Sequence, residues 1–187
     1  MKLKKSVMAV ACTTMMTVFM TVCGTFADST GKPAQTEEPL IAYFSYSGNT
    51  EEAAKEIADY TGGTLAEIQR ATPYEDVNTE GEEELNSNAR PEITISVDNV
   101  EEYDTIFVGY PIWWDEAPMV ISTFLESYDF TDKRIIPFCT SASDSIDNSL
   151  HIFEELAPDA TIEEGLTANE EEDIEPWLNE LGFEKAD

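Results

Sequence analysis

The chain is poor in cations, histidine and cysteine. Against 39 acidic residues stand 10 lysines and arginines, a formal net charge of −29. A surface of that sign repels nucleic acid and anionic membrane faces, and a protein partner held by charge would have to be basic. The single histidine, His151, lies in a helical stretch. No group of His, Cys, Asp or Glu has the spacing of metal ligands. The Gly-x-Ser-x-Gly turn of a serine nucleophile is missing. Neither the three-glycine dinucleotide fingerprint nor the Gly-Lys-Ser/Thr end of an ATP-type loop is present. The acidic runs Glu82–Glu84 and Glu170–Asp173 lack the alternating Asp/Asn and central Gly of a calcium loop, and read as solvated helix starts.

The N-terminus carries an address. Lys2, Lys4 and Lys5 form a basic start, Val7 to Val22 is uncharged and apolar, and Thr25-Phe26-Ala27 supplies small residues before Asp28. This is the pattern of a cleaved export signal over residues 1–27. The apolar stretch is short for a permanent span. Membrane attachment follows only if Cys23 is lipidated, and there the preceding Val22 is branched where a small residue is usual. The expected location is extracellular or within the cell envelope. Residues 28–39 are polar and contain Pro, as in a disordered leader, and the domain covers 40–187. Of the three cysteines, Cys12 and Cys23 fall in the signal. Cys139 lies in the apolar run Ile135–Cys139 and reads as a buried small hydrophobe, so no disulfide closes the domain.

Beyond residue 40, apolar strands alternate with helical stretches. Strands are expected at Leu40–Phe44, Leu65–Ile68, Thr105–Gly109, Arg134–Cys139 and Ala160–Glu163. Helices are expected at Thr50–Tyr60, Glu82–Asn88, Pro118–Tyr128, Asp147–Leu156 and Ile174–Leu181, with Asp147 as an N-cap and Pro91–Val97 extended. Near-continuous apolar strands separated by helices imply an α/β fold, with a parallel sheet covered on both faces. Ligands of such sheets sit beyond the carboxyl ends of the strands. Three loops lie there, at 45–50, 110–118 and 140–148.

The first loop is Ser45-Tyr46-Ser47-Gly48-Asn49-Thr50. A helix opening directly after a strand points unpaired N–H groups and its positive dipole end over the turn, a seat for phosphate. Hydroxyls surround it and Gly48 permits close approach. The loop has no Lys or Arg. A plain capped helix is the competing reading. The second loop, Tyr110–Pro118, holds the adjacent Trp113 and Trp114. One or both indoles can present a face to a flat ligand, or both can pack over the following helix against Met119, Ile121 and Phe124.

A phosphate seat beside an aromatic loop suits flavin mononucleotide. The segments Ser45–Thr50, Gly109–Trp114, Thr123–Phe130 and Pro137–Ser141 resemble the flavodoxin-like proteins of anaerobic bacteria, in the same order, over about 40–166. The resemblance implies a flavodoxin-like, doubly wound five-stranded parallel sheet of order 2-1-3-4-5, bound FMN, and electron transfer with a redox partner protein. It places Ser45, Tyr46, Ser47, Gly48, Asn49 and Thr50 at the phosphate, Pro111, Ile112, Trp113 and Trp114 around the ring, and Thr140 and Ser141 at the third loop. Two alternatives stay open: an FMN-dependent NAD(P)H or quinone reductase, and a binding module with weakened or lost flavin binding. The second is motivated by the third loop, Ser141–Ser149, which has no glycine where the family is glycine-rich. There an Asp144 carboxylate at ~4 Å would repel the phosphate by ~4 kcal/mol at an effective dielectric of ~20. Asp115, where some flavodoxins use glycine, is expected to resist positive φ.

Overall fold

The computed structural model describes residues 38–186. The expected export signal, Cys23 and all but the end of the expected leader lie outside the described residues.

The sheet is built from the centre outward. β1 (Leu40–Tyr43) pairs in parallel with β2 (Thr64–Arg70) on one side and β4 (Thr105–Pro111) on the other. β5 (Arg134–Thr140) adds to β4, and the short β6 (Thr161–Ile162) and β7 (Leu166–Thr167) both pair with β5. The parallel positions therefore keep the expected order 2-1-3-4-5, the fifth being filled by two short pieces in succession. One strand was not expected to pair. β3 (Ile93–Ile95), in the segment read as merely extended, joins the outer edge of β2 in antiparallel sense.

Alternation along β1 sets the layers. Ile41 and Tyr43 pack with α1 (Asn49–Thr61) and α5 (Glu171–Glu180), against Ile57, Ile174 and Leu178. Leu40 and Ala42 face the opposite side, with α3 (Met119–Ser127) and α4 (His151–Leu156), against Ile121, Phe124 and Phe153. All four β1 residues are buried. A strand shielded on both faces needs apolar side chains at every position, and that made it readable as a continuous run. Gly109 on β4 has a packing reason: a Cβ there would stand 2.2 Å from the Phe138 ring.

Three helical expectations change. α2 spans Val77–Ser87 and starts before Glu82, because Asp76 caps it by accepting the Asn78 N–H at 3.1 Å. Glu84 is not solvated: it is 8% exposed. It accepts from Arg70 Nε at 2.9 Å and from the Tyr74 hydroxyl at 2.8 Å, the partners a buried carboxylate requires. The stretch after Asp147 divides into a 3₁₀ turn, Ile146–Asn148, and α4. Ser145, not Asp147, caps the turn, its hydroxyl accepting from the Asp147 N–H at 3.3 Å.

Candidate functional site

Strand register brings the three loops to one edge. Tyr43 lies beside Gly109 and Pro111 beside Thr140. The ladder continues outward through Phe44 N–H to Gly109 O at 2.9 Å and Ile112 N–H to Thr140 O at 2.9 Å.

The first loop closes on itself. The Gly48 N–H donates to Ser45 Oγ at 3.1 Å, and Gly48 adopts φ 98° at the N-cap of α1. Only glycine enters that region without penalty. No side chain caps the helix. Among the described residues, the N–H groups of Asn49, Thr50 and Glu51 meet no acceptor. These are orphan donors of a helix start. Thr50 is buried, and its hydroxyl lies 2.8 Å from that of Thr140. This pair ties α1 to the end of β5 beneath the cleft.

The cleft that opens over these groups has a volume of about 940 Å³. Of the predicted residues, Ser47, Asn49, Pro111, Ile112, Thr140 and Ser141 line it. Sequence reasoning missed Ala168 and Asn169, from the β7–α5 loop, which also line it. Asn169 Oδ1 accepts the Ser141 N–H at 2.9 Å and so fixes the third loop from a neighbouring crossover. A single polar residue in a loop offers no periodicity by which to find it. Along α1 the cleft is bordered by Glu52, Glu56 and Asp59, with Glu171 opposite and Lys55 as its cation. Lys55 is itself paired with Glu51. Burial, reinforced by Glu171, pushes the Glu56 carboxyl above its ordinary range.

The aromatic residues gather elsewhere on the same edge. Trp113 packs edge-on with Phe44 at 5.5 Å, Tyr74 at 5.5 Å and Tyr46 at 5.9 Å. Trp114 lies against α2, where a Cβ on Gly81 would come within 3.0 Å of its ring. Trp113 thus packs against Tyr74 and Trp114 against α2, and Trp113 also borders the core cluster that contains Ile121 and Phe124. Tyr46 and Trp114 remain 53% and 42% exposed.

Backbone geometry bears on two of the loops. Asp115 has φ 64° and Trp114 φ 51°. The bend occupies the left-handed region with two non-glycine residues, contrary to expectation. The third loop contains no residue with positive φ, so its conformation does not require glycine. Asp144 is not among the cleft residues. Its N–H donates to Ser141 Oγ at 2.7 Å. Cys139, buried at the base, has its thiol pushed up to about 11, chiefly by burial. Among the described residues no His, Cys, Asp or Glu cluster could hold a metal. The cleft presents amides, hydroxyls and carboxylates.

An open, doubly wound α/β sheet with an uncapped helix start at its first crossover is the architecture of a phosphate-bearing-cofactor protein. A flavodoxin profile matches residues 38–181. The chain belongs to the flavodoxin family. It is 35% identical to a protein assigned to the flavoproteins from Bacteroides eggerthii, over 80% of this chain and 100% of that one, with a TM-score of 0.71. A Bacteroides uniformis protein assigned likewise is 36% identical over 78% and 99% of the two chains, TM-score 0.70. A Lactobacillus acidophilus flavoprotein solved in complex with FMN shares the fold at 24% identity, covering 76% and 99%, TM-score 0.63. No curated protein matches the chain.

Proposed function

We propose that this protein is an exported FMN-binding electron carrier. The observation that carries the reading is the uncapped first turn of α1, whose free N–H groups open into the cleft between the loops after β1, β4 and β5. Family membership and the FMN complex of the Lactobacillus relative support it. The residues present fit such a group. The Asn49, Thr50 and Glu51 amides, with the Ser45 and Ser47 hydroxyls, would hold the phosphate, and Gly48 supplies the bend that aims them. Pro111, Ile112, Thr140 and Ser141 would border the ring, with Tyr46, Trp113 and Trp114 on its aromatic flank. Bound FMN would supply one- and two-electron redox chemistry. The protein would orient the ring, exclude water from its inner edge and leave an outer edge open.

The formal charge of −29 suits a redox partner with a basic docking face, and repulsion from nucleic acid follows from the same charge. Residues 1–27 support export by their pattern, with lipidation at Cys23 as the alternative route to the envelope.

A second reading has its own observation. Glu52, Glu56, Asp59 and Glu171 border the cleft, and their charge opposes a dianion. This favours a flavodoxin-fold module that has given up flavin. Quenching of flavin fluorescence decides between the two. Saturable binding tighter than about micromolar, roughly 8 kcal/mol, supports the carrier, and no quenching at tenfold higher protein removes it. Adding NADH or NADPH to FMN-loaded protein then separates carrier from reductase, since only a reductase bleaches the flavin without help.

A further inference from the structure

Side chains satisfy the amides of the glycine-free third loop. Ser141 Oγ accepts from the Ser143 N–H at 3.2 Å and from the Asp144 N–H at 2.7 Å. The loop is also held at two points by β7 and the turn after it. Thr167 Oγ1 accepts from the Ile146 N–H at 3.0 Å, and Asn169 Oδ1 from the Ser141 N–H at 2.9 Å. The segment that supplies these acceptors is itself anchored. The Ala168 N–H donates to Cys139 O at 2.7 Å and the Asn169 N–H to Thr167 O at 3.0 Å. Amides spent in this way are closed to a ligand, the opposite of the bare N–H groups at the start of α1.

The bond to Ser141 settles how the Asn169 amide is turned. A backbone N–H can only donate, so the amide oxygen faces Ser141 and Nδ2 faces away with its two hydrogens. Among the described residues Nδ2 meets no acceptor. Asn169 is exposed and lines the cleft beside Ser141 and Ala142. A flat group seated against Pro111 and Ile112 loses water from its inner edge, and an acceptor buried there is costly unless a donor meets it. Glu52, Glu56, Asp59 and Glu171 border the cleft, and an ionised carboxylate can only accept. The Thr140 hydroxyl is already paired with that of Thr50 at 2.8 Å, and Lys55 with Glu51.

We propose that Asn169 has a separate role for each end of its amide: Oδ1 positions the third loop through Ser141, and Nδ2 donates to an acceptor, a carbonyl oxygen or ring nitrogen, on the flat end of the ligand. The inference rests on the FMN reading and deepens it. Bare amides at the start of α1 hold the phosphate, and a neutral side-chain donor holds the ring end. Being neutral, that donor adds no attraction for the phosphate. Its contribution is therefore the same for FMN and for riboflavin.

Two substitutions separate the roles. Asn169→Asp keeps an oxygen for the Ser141 N–H and removes the donor, and Asn169→Ala removes both. Amide hydrogen exchange of flavin-free protein, read by NMR, reports the first role. Ser141 should be as protected in Asn169→Asp as in the wild type, and should exchange about two- to tenfold faster in Asn169→Ala, the scale of one hydrogen bond. Titration with riboflavin reports the second, since riboflavin has no phosphate for the new carboxylate to repel. Its dissociation constant should rise about two- to tenfold in both variants. In Asn169→Ala, FMN should weaken by the same factor. Equal Ser141 exchange in the wild type and Asn169→Ala overturns the positioning role. Riboflavin binding by Asn169→Asp at wild-type strength overturns the donor role, as does a loss in Asn169→Ala confined to FMN. A wild type that binds neither flavin refutes the carrier reading and the donor role with it, while the exchange arm still decides the hold on the third loop.

Discussion

Replacing Gly48 by Ala perturbs the proposed phosphate seat without touching any contact. Nothing lies within 4 Å of a Cβ built at this position, so no clash contributes. The whole effect comes from φ 98°, a left-handed conformation that costs an L-residue roughly 1–2 kcal/mol. That cost appears in one of two places. If the turn keeps its shape in the flavin-free protein, Gly48→Ala lowers unfolding stability by the full amount and leaves FMN affinity unchanged. If the turn relaxes when empty, stability is preserved and the cost reappears as a roughly 5- to 30-fold weaker dissociation constant, at about 1.4 kcal/mol per tenfold. Urea unfolding of flavin-free protein and fluorescence titration with FMN give the two terms, and their sum is predicted to be about 1–2 kcal/mol. Gly48→Asn is the control, because Asn tolerates the left-handed region, and it should recover most of the loss. A sum near zero for Ala, or Asn no better than Ala, would refute the reasoning.

Further expectations follow from the same geometry. Thr50→Val leaves the buried Thr140 hydroxyl without its 2.8 Å partner and should cost about 1–3 kcal/mol by urea unfolding, with Thr50→Val/Thr140→Val recovering part of it. Gly109→Ala drives a methyl into the Phe138 ring and should cost about 1–3 kcal/mol, relieved by Phe138→Leu. The Arg90 guanidinium holds the Glu126 carboxyl below its ordinary range. That depressed carboxyl contributes stability above its unfolded value and loses it as pH falls, so Arg90→Gln should flatten the acid limb of a stability–pH profile. Cys139, its thiol raised to about 11, should resist alkylation at pH 8 until the protein unfolds.

The sheet was legible because each central strand is buried on both faces and so reads as unbroken apolar sequence, as Leu40–Tyr43 and Ile106–Val108 do. The turn after β1 was legible because its pattern is local: one glycine, flanking hydroxyls and a helix directly behind. What escaped depends on partners distant in sequence. Glu84 reads as one of a run of surface acids, and its burial is set by Arg70 and Tyr74. Gly81 lowers the helical signal of α2, and its reason is an indole more than thirty residues away. The positive φ at Trp114 and Asp115 carries no glycine to announce it. Asn169 reaches the third loop from another crossover. The contacts of the two indoles with Tyr74 and Gly81 were likewise decided by packing that no spacing encodes.

The central claim is that the bare amides at the start of α1 hold a phosphate without a cation. Backbone amide NMR during parallel titrations with FMN and riboflavin tests it most directly. The account predicts that FMN binds at least tenfold tighter, a gain of about 1.4 kcal/mol or more, and that the Ser47, Asn49, Thr50 and Glu51 resonances shift with FMN and stay nearly still with riboflavin. Equal affinity for the two flavins, with those amides unmoved by either, would contradict it.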